Sequence, residues 1–173
     1  MAFTFVVEDG TGTNAAANSY VSVEDADDII TTNIHISDSW DALTVSQKER
    51  LLVWASRYLD TQTRWKGYKT VDDSPLRWPR QGVCDRDDIE IDANTIPNQL
   101  KVATAEMARY LIDVDRSVER DTDGLERVKA DVVEIEFLAG YRLPQVPSHI
   151  QYLVQGLGYI SGGRGTRFAR VVR

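Results

Sequence analysis

The segment Leu76-Arg77-Trp78-Pro79-Arg80-Gln81-Gly82-Val83 constrains this chain more than any other. It cannot form a regular helix. Pro79 has no backbone N–H to donate and pushes Trp78 away from the α region. A large aromatic held on irregular chain needs a partner that buries it. The partner is the chain's own core, a neighbouring subunit or a nucleic-acid base, and the functional question lies in choosing among the three.

Helical periodicity supplies the frame around this segment. Ser22 is suited to cap a helix from Val23 to about Thr32, with Glu24 and Asp25 where the helix dipole favours acids. Asn33 to Asp41 reads as a loop carrying Trp40. Thr44 and Gln47 form a capping box, and Leu51, Trp54, Ala55, Tyr58 and Leu59 follow at helical spacing, which predicts a helix from Val45 to Thr61. Pro97 suits the first turn of a third helix, striped by Leu100, Ala103, Met107, Tyr110 and Val114. A last helix runs from Pro147 to Gln155 and ends at Gly156 and Gly158.

Between the helices the pattern changes. Phe3 to Val7 alternates weakly, as a short strand would. Thr63 to Asn94 reads as mostly irregular, with a possible short strand at Ile89 and Ile91. So long an excursion usually serves binding or assembly. Asp113 to Gly124 is charged and expected at the surface. Arg127 to Phe137 alternates, with a phase change at Val132-Val133 that marks a bulge or a turn between two strands. The expected fold is mainly α: a small bundle of three to four helices, a short β element, a long central loop, and extended N- and C-terminal arms.

Length and charge narrow the function. A chain of 173 residues with 42% hydrophobic residues suits one compact domain. The net charge of −7 argues against non-specific duplex binding, which relies on clustered Lys and Arg. The 12 residues from Gly162 to Arg173 hold four Arg and no acid, which leaves −11 on the preceding 161. The chain therefore divides into a body, 1–161, and a basic C-terminal arm, 162–173, suited to an acidic partner. The single cysteine allows no internal disulfide. The first residues lack the basic and apolar blocks of a signal peptide, and no apolar run reaches membrane-spanning length.

Catalytic patterns are faint, so no enzyme, metal or cofactor is expected. Cys84 could meet His149 in space, but no nucleophile motif surrounds it, and a cysteine packed as a small hydrophobe is the simpler reading. Asp85-Arg86-Asp87-Asp88-Ile89 offers two positions of a calcium loop and lacks the third ligand and the glycine. Trp65, Lys66, Tyr68, Lys69, Arg77, Trp78 and Arg80 are more suggestive. Aromatic platforms with interleaved cations bind single strands without reading sequence. In that reading Trp65, Lys66, Arg77, Trp78 and Arg80 contact nucleic acid, and both tryptophans are exposed. In the other reading Trp65 and Trp78 anchor the loop to the helices.

Segments spread along the chain carry a resemblance. They are Ala17-Asn18-Ser19-Tyr20-Val21-Ser22, Ala55-Ser56-Arg57-Tyr58-Leu59-Asp60, Arg64-Trp65-Lys66-Gly67, Leu76-Arg77-Trp78-Pro79-Arg80, Ile96-Pro97 and Val132-Val133-Glu134-Ile135-Glu136-Phe137. Together they resemble a family of tailed-bacteriophage neck proteins, whose members are often labelled DnaT-like single-stranded DNA-binding proteins. Where that family commonly has Asp-Arg-Asp-Gly, this chain carries Asp88 in place of the glycine.

The resemblance implies a head-tail adaptor of the virion neck, assembled in the host cytoplasm. Such a protein forms a ring, usually of twelve copies. It binds the portal and a downstream neck or tail-completion protein, and genomic duplex passes through without specific binding. Arg164, Arg167, Phe168, Arg170 and Arg173 would then contact the portal or a neighbouring subunit. Trp65, Arg77, Trp78 and Arg80 would anchor the loop or form an interface. The alternative expectation is a single-stranded DNA-binding replication accessory.

Overall fold

The computed structural model describes residues 3–33, 37–112, 127–130, 133–136 and 145–160. Its architecture is mainly α, as the periodicity predicts. The helices are α1 (Val23–Thr31), α2 (Ser37–Asp41), α3 (Val45–Gln62), α4 (Asn98–Tyr110) and α5 (Ser148–Val154). The strands are β1 (Thr63–Trp65), β2 (Tyr68–Lys69), β3 (Arg80–Gln81), β4 (Arg127–Ala130), β5 (Val133–Glu136) and β6 (Gly158–Ile160). They form three antiparallel pairs: β1 with β6, β2 with β3, and β4 with β5.

Local signals set the helix starts. The Thr44 hydroxyl accepts from the Gln47 backbone N–H at 3.4 Å, and the Gln47 side-chain Oε1 accepts from the Thr44 N–H at 2.9 Å. Both partners of the capping box are therefore present. Ser22 caps α1 by accepting from the Asp25 N–H at 3.0 Å. Pro97 and Pro147 stand immediately before α4 and α5. Helix α4 is the centre of the bundle, packed by α1, α3 and α5. Its buried face includes Leu100, Ala103 and Met107, and Leu52, Ala55 and Leu59 of α3 are buried with it. Val114, expected at the end of that stripe, lies outside the described residues.

Three expectations are corrected. The loop from Asn33 to Asp41 contains α2. Trp40 is fully buried there, and its indole N–H donates to Asp27 Oδ1 at 2.6 Å. Lys48 Nζ donates to the same oxygen at 2.8 Å and lies 5.2 Å from the Trp40 ring centre. One buried tryptophan holds this short helix, so no periodicity marked it. Phe3 to Val7 is not a strand. Among the described residues its β pairing is limited to an isolated bridge, Val7 to Ser19. The N-terminal segment nonetheless lies on the core, with Ala17, Ser19, Tyr20 and Val21 buried.

The third correction concerns Thr63 to Asn94. It holds β1, β2, β3 and the isolated bridge Cys84–Glu90. Two- and three-residue strands are too short to show alternation, and the partner of β1 lies at Gly158–Ile160. On either side of the phase change at Val132-Val133, β4 and β5 pair antiparallel with Ala130 opposite Val133, while Val132 itself lies outside the described residues. The stretch from Asp113 to Gly124 lies outside the described residues.

Two backbone positions give tests of this reading. A Cβ on Gly158 would stand 2.8 Å from Thr63 Cγ2, 2.9 Å from the Arg64 carbonyl oxygen and 3.1 Å from Trp65 Cα. Gly158→Ala should therefore destabilise the fold by about 1–3 kcal/mol in urea unfolding, because β6 cannot approach β1. Asp88 has φ +60°, the left-handed conformation that glycine adopts freely. This chain therefore holds an aspartate in a position that suits glycine. Asp88→Gly should raise stability by about 0.5 kcal/mol, strain relief being partly offset by chain entropy.

Candidate nucleic-acid interface

The tryptophans of the central segment point inward. Trp78 is fully buried and Trp65 is 8% exposed. Their rings meet edge to face, with centres 6.1 Å apart and planes at 88°. Beside them lies the carboxylate of Asp60, near the end of α3. It accepts from the Tyr20 hydroxyl at 2.7 and 2.8 Å, from the Trp65 indole N–H at 3.0 Å and from the Arg77 N–H at 3.1 Å. The Tyr20 oxygen in turn accepts from the backbone N–H of Arg77 at 3.0 Å and of Trp78 at 3.3 Å. The Trp78–Pro79 peptide is cis.

This cluster anchors the loop and removes both rings from solvent. The picture of Trp65 and Trp78 as stacking platforms is therefore corrected. Arg80 is also structural. Its guanidinium donates to the carbonyls of Lys66 at 2.5 Å, Gly67 at 2.6 Å and Arg77 at 3.0 Å. Burial lowers its pKa. Of the five residues expected at nucleic acid, Arg77 is exposed and Lys66 is half-buried.

The β1–β6 ribbon presents a different set. Thr63 and Trp65 of β1 face inward, and Arg64 between them is exposed. Its cross-strand partner is Tyr159, 64% exposed. Directly opposed residues share one face of a ribbon, so Arg64 and Tyr159 stand side by side. Lys66 Nζ lies 5.4 Å from the Tyr159 ring centre and donates to the Gly156 carbonyl at 2.9 Å. Tyr68 of β2, 77% exposed, stands opposite exposed Gln81 of β3. Tyr159 escaped the sequence reading because Gly158-Tyr159-Ile160 looks like the end of a helix. The alternation Thr63-Arg64-Trp65 was its one visible trace.

The remaining candidates fall elsewhere. Cys84 is exposed, not packed as a small hydrophobe. His149 Nε2 lies 3.7 Å from Glu106 Oε2. Asp85 Oδ1 accepts from the N–H of Asp87 and of Ile89, both at 2.9 Å, which makes the acidic stretch a turn. Among the described residues no three His, Cys, Asp or Glu side chains converge as a metal site. None of the described helices is long and apolar enough to cross a membrane. Arg164, Arg167, Phe168, Arg170 and Arg173 lie outside the described residues, as does His35.

Comparison with known families places the chain. Residues 3–173 match the model of the family described as "putative DnaT-like ssDNA binding protein". The chain belongs to that family. No curated protein and no solved structure matches it. The head-tail adaptor reading is thereby corrected, because the matched family is described by single-stranded DNA binding and not by a structural role in the virion neck. The twelve-copy ring and the portal and tail partners followed from the adaptor reading alone.

Asp60 gives the anchor a pH dependence. Burial raises its pKa from 3.8 to about 6, against the lowering effect of the hydrogen bonds from Tyr20, Arg77 and Trp65. Tyr20 is also raised, first by burial and then by the Asp60 charge. The folded state holds the Asp60 proton more tightly than the unfolded chain. Its contribution is fullest below pH 3.8 and is lost as pH rises through about 6. Stability from this group should increase by about 1 kcal/mol between pH 7 and pH 5. Asp60→Asn should lack that increase when urea unfolding is compared at the two pH values. It should also lose about 1–3 kcal/mol throughout, since an amide cannot accept from every donor present.

Proposed function

We propose that this chain binds single-stranded DNA as a replication accessory, across the outer face of the β1–β6 ribbon. One observation carries the choice of face: exposed Tyr159 stands opposite Arg64 with the Lys66 ammonium over its ring. A base stacks on an aromatic ring whatever its identity, and neighbouring cations hold the phosphates on either side. The family description supports the ligand. The net charge of −7 supports a local contact over an extended basic track. In duplex DNA the bases are already stacked on one another, so the ring offers nothing to a duplex. The role is binding, with no chemical step.

Fluorescence anisotropy of a labelled oligonucleotide tests the reading. Tyr159→Ala should weaken binding about tenfold, within the range of one lost stacking contact. Arg64→Ala should weaken it less and reduce the salt slope by about 0.7, as expected for one phosphate contact on a single strand. Intrinsic tryptophan emission should change little, because three of the four tryptophans, Trp40, Trp65 and Trp78, are buried and the fourth, Trp54, is half-buried on α3. Absence of any oligonucleotide binding by the wild-type chain would refute the proposal.

A further inference from the structure

A cavity of about 310 Å³ opens beside the proposed DNA face. Its lining includes Asp85, Arg86, Asp87, Gln99, Tyr152 and Gly156, with Leu153 and Leu157 contributing apolar wall. This volume is at the small end of pockets that hold small organic ligands (about 300–1,000 Å³). Gly156 joins the two regions. It lines the cavity, and its carbonyl accepts from Lys66 Nζ, the same ammonium that lies over Tyr159. A strand stacked on Tyr159 therefore lies one residue contact, through Lys66, from the cavity wall.

The lining chemistry selects among the parts of a nucleotide. Tyr152 is 64% exposed, so its ring is open to a planar group. Arg86 is partly engaged: its Nη2 donates to the Tyr152 carbonyl and, at 3.2 Å, to Gln155 Oε1. Asp85 is likewise committed to its turn, through the N–H groups of Asp87 and Ile89. The Asp87 carboxylate has no hydrogen-bond or ion-pair partner among the described residues, and Asp87 is exposed. The two carboxylates outnumber the one guanidinium in the lining, which disfavours a phosphate. They accept hydrogen bonds from an exocyclic amine, as carboxylates do from the cytosine N4 amino group. Gln99 adds an amide that both donates and accepts.

Resting on the single-stranded DNA reading, we infer that this cavity takes one unstacked base of the bound strand and favours a base bearing an exocyclic amine. Tyr152 stacks on it, and Asp87 accepts from its amine. Cytosine and thymine make the sharpest comparison, since they are alike in size. Cytosine presents an amine where thymine presents a carbonyl, which the Asp87 carboxylate cannot serve.

The test measures binding of short oligo(dC) and oligo(dT) of equal length at neutral pH to the full chain and to Asp87→Asn and Tyr152→Ala. The wild type should bind oligo(dC) at least about fivefold more tightly, the low end for one discriminating base contact. Asp87→Asn should remove or reverse the preference, because an amide can donate to the thymine carbonyl. Tyr152→Ala should weaken both ligands and narrow the difference. Equal affinity of the wild type for the two, unmoved by Asp87→Asn, would overturn the pocket and leave the binding reading standing. Binding of neither oligonucleotide would overturn both.

Discussion

Asp60 turns its carboxylate inward from near the end of α3, where Tyr20, Trp65 and the Arg77 N–H all donate to it. An unpaired carboxylate there would be costly to bury, and these donors are what make its position tolerable. They come from three separate stretches: the N-terminal segment, β1 and the central loop. Asp60 thus registers all three against one helix. Tyr20 extends the arrangement by accepting from Trp78 N–H, which seats the second tryptophan. Trp65 lies directly opposite Gly158 in the sheet, so placing Trp65 also places β6. The exposed Tyr159 follows from a polar contact on the other side of its own ribbon.

Local chemistry made much of the bundle legible. Thr44 with Gln47, Ser22 with its acidic first turn, and the two prolines before α4 and α5 each act within a few residues. The elements that were not legible depend on distant partners. Trp40 forms α2 because Asp27 waits on α1 to accept its N–H. Strand β1 exists because Gly158–Ile160 returns to it, and Gly158 permits the approach by lacking a Cβ. Neither dependence can be seen in a window of neighbouring residues.

The site shows the same division at the level of single side chains. The cluster of Trp65, Lys66, Arg77, Trp78 and Arg80 has the composition of a strand-binding patch. Composition does not say which way a side chain points. In β1 the alternation sends Trp65 inward and Arg64 outward. Arg80 looks like a phosphate contact by type, yet its rigid fork of donors matches three loop carbonyls. The segment that constrains the fold is thus the inner support of the face, and the face itself is made of Arg64, Lys66 and Tyr159.

For the proposed binding of single-stranded DNA, an acidic chain needs its cations where they count. With a net charge of −7, long-range attraction for DNA is absent and non-specific duplex affinity is suppressed. What remains is contact at short range, where salt screens least and ring stacking adds its share. Stacking is open only to bases that have left their duplex. The charge of the body and the exposed ring of Tyr159 therefore work in the same direction. On the proposed reading, one weakens binding to every DNA, and the other restores it only for the single strand.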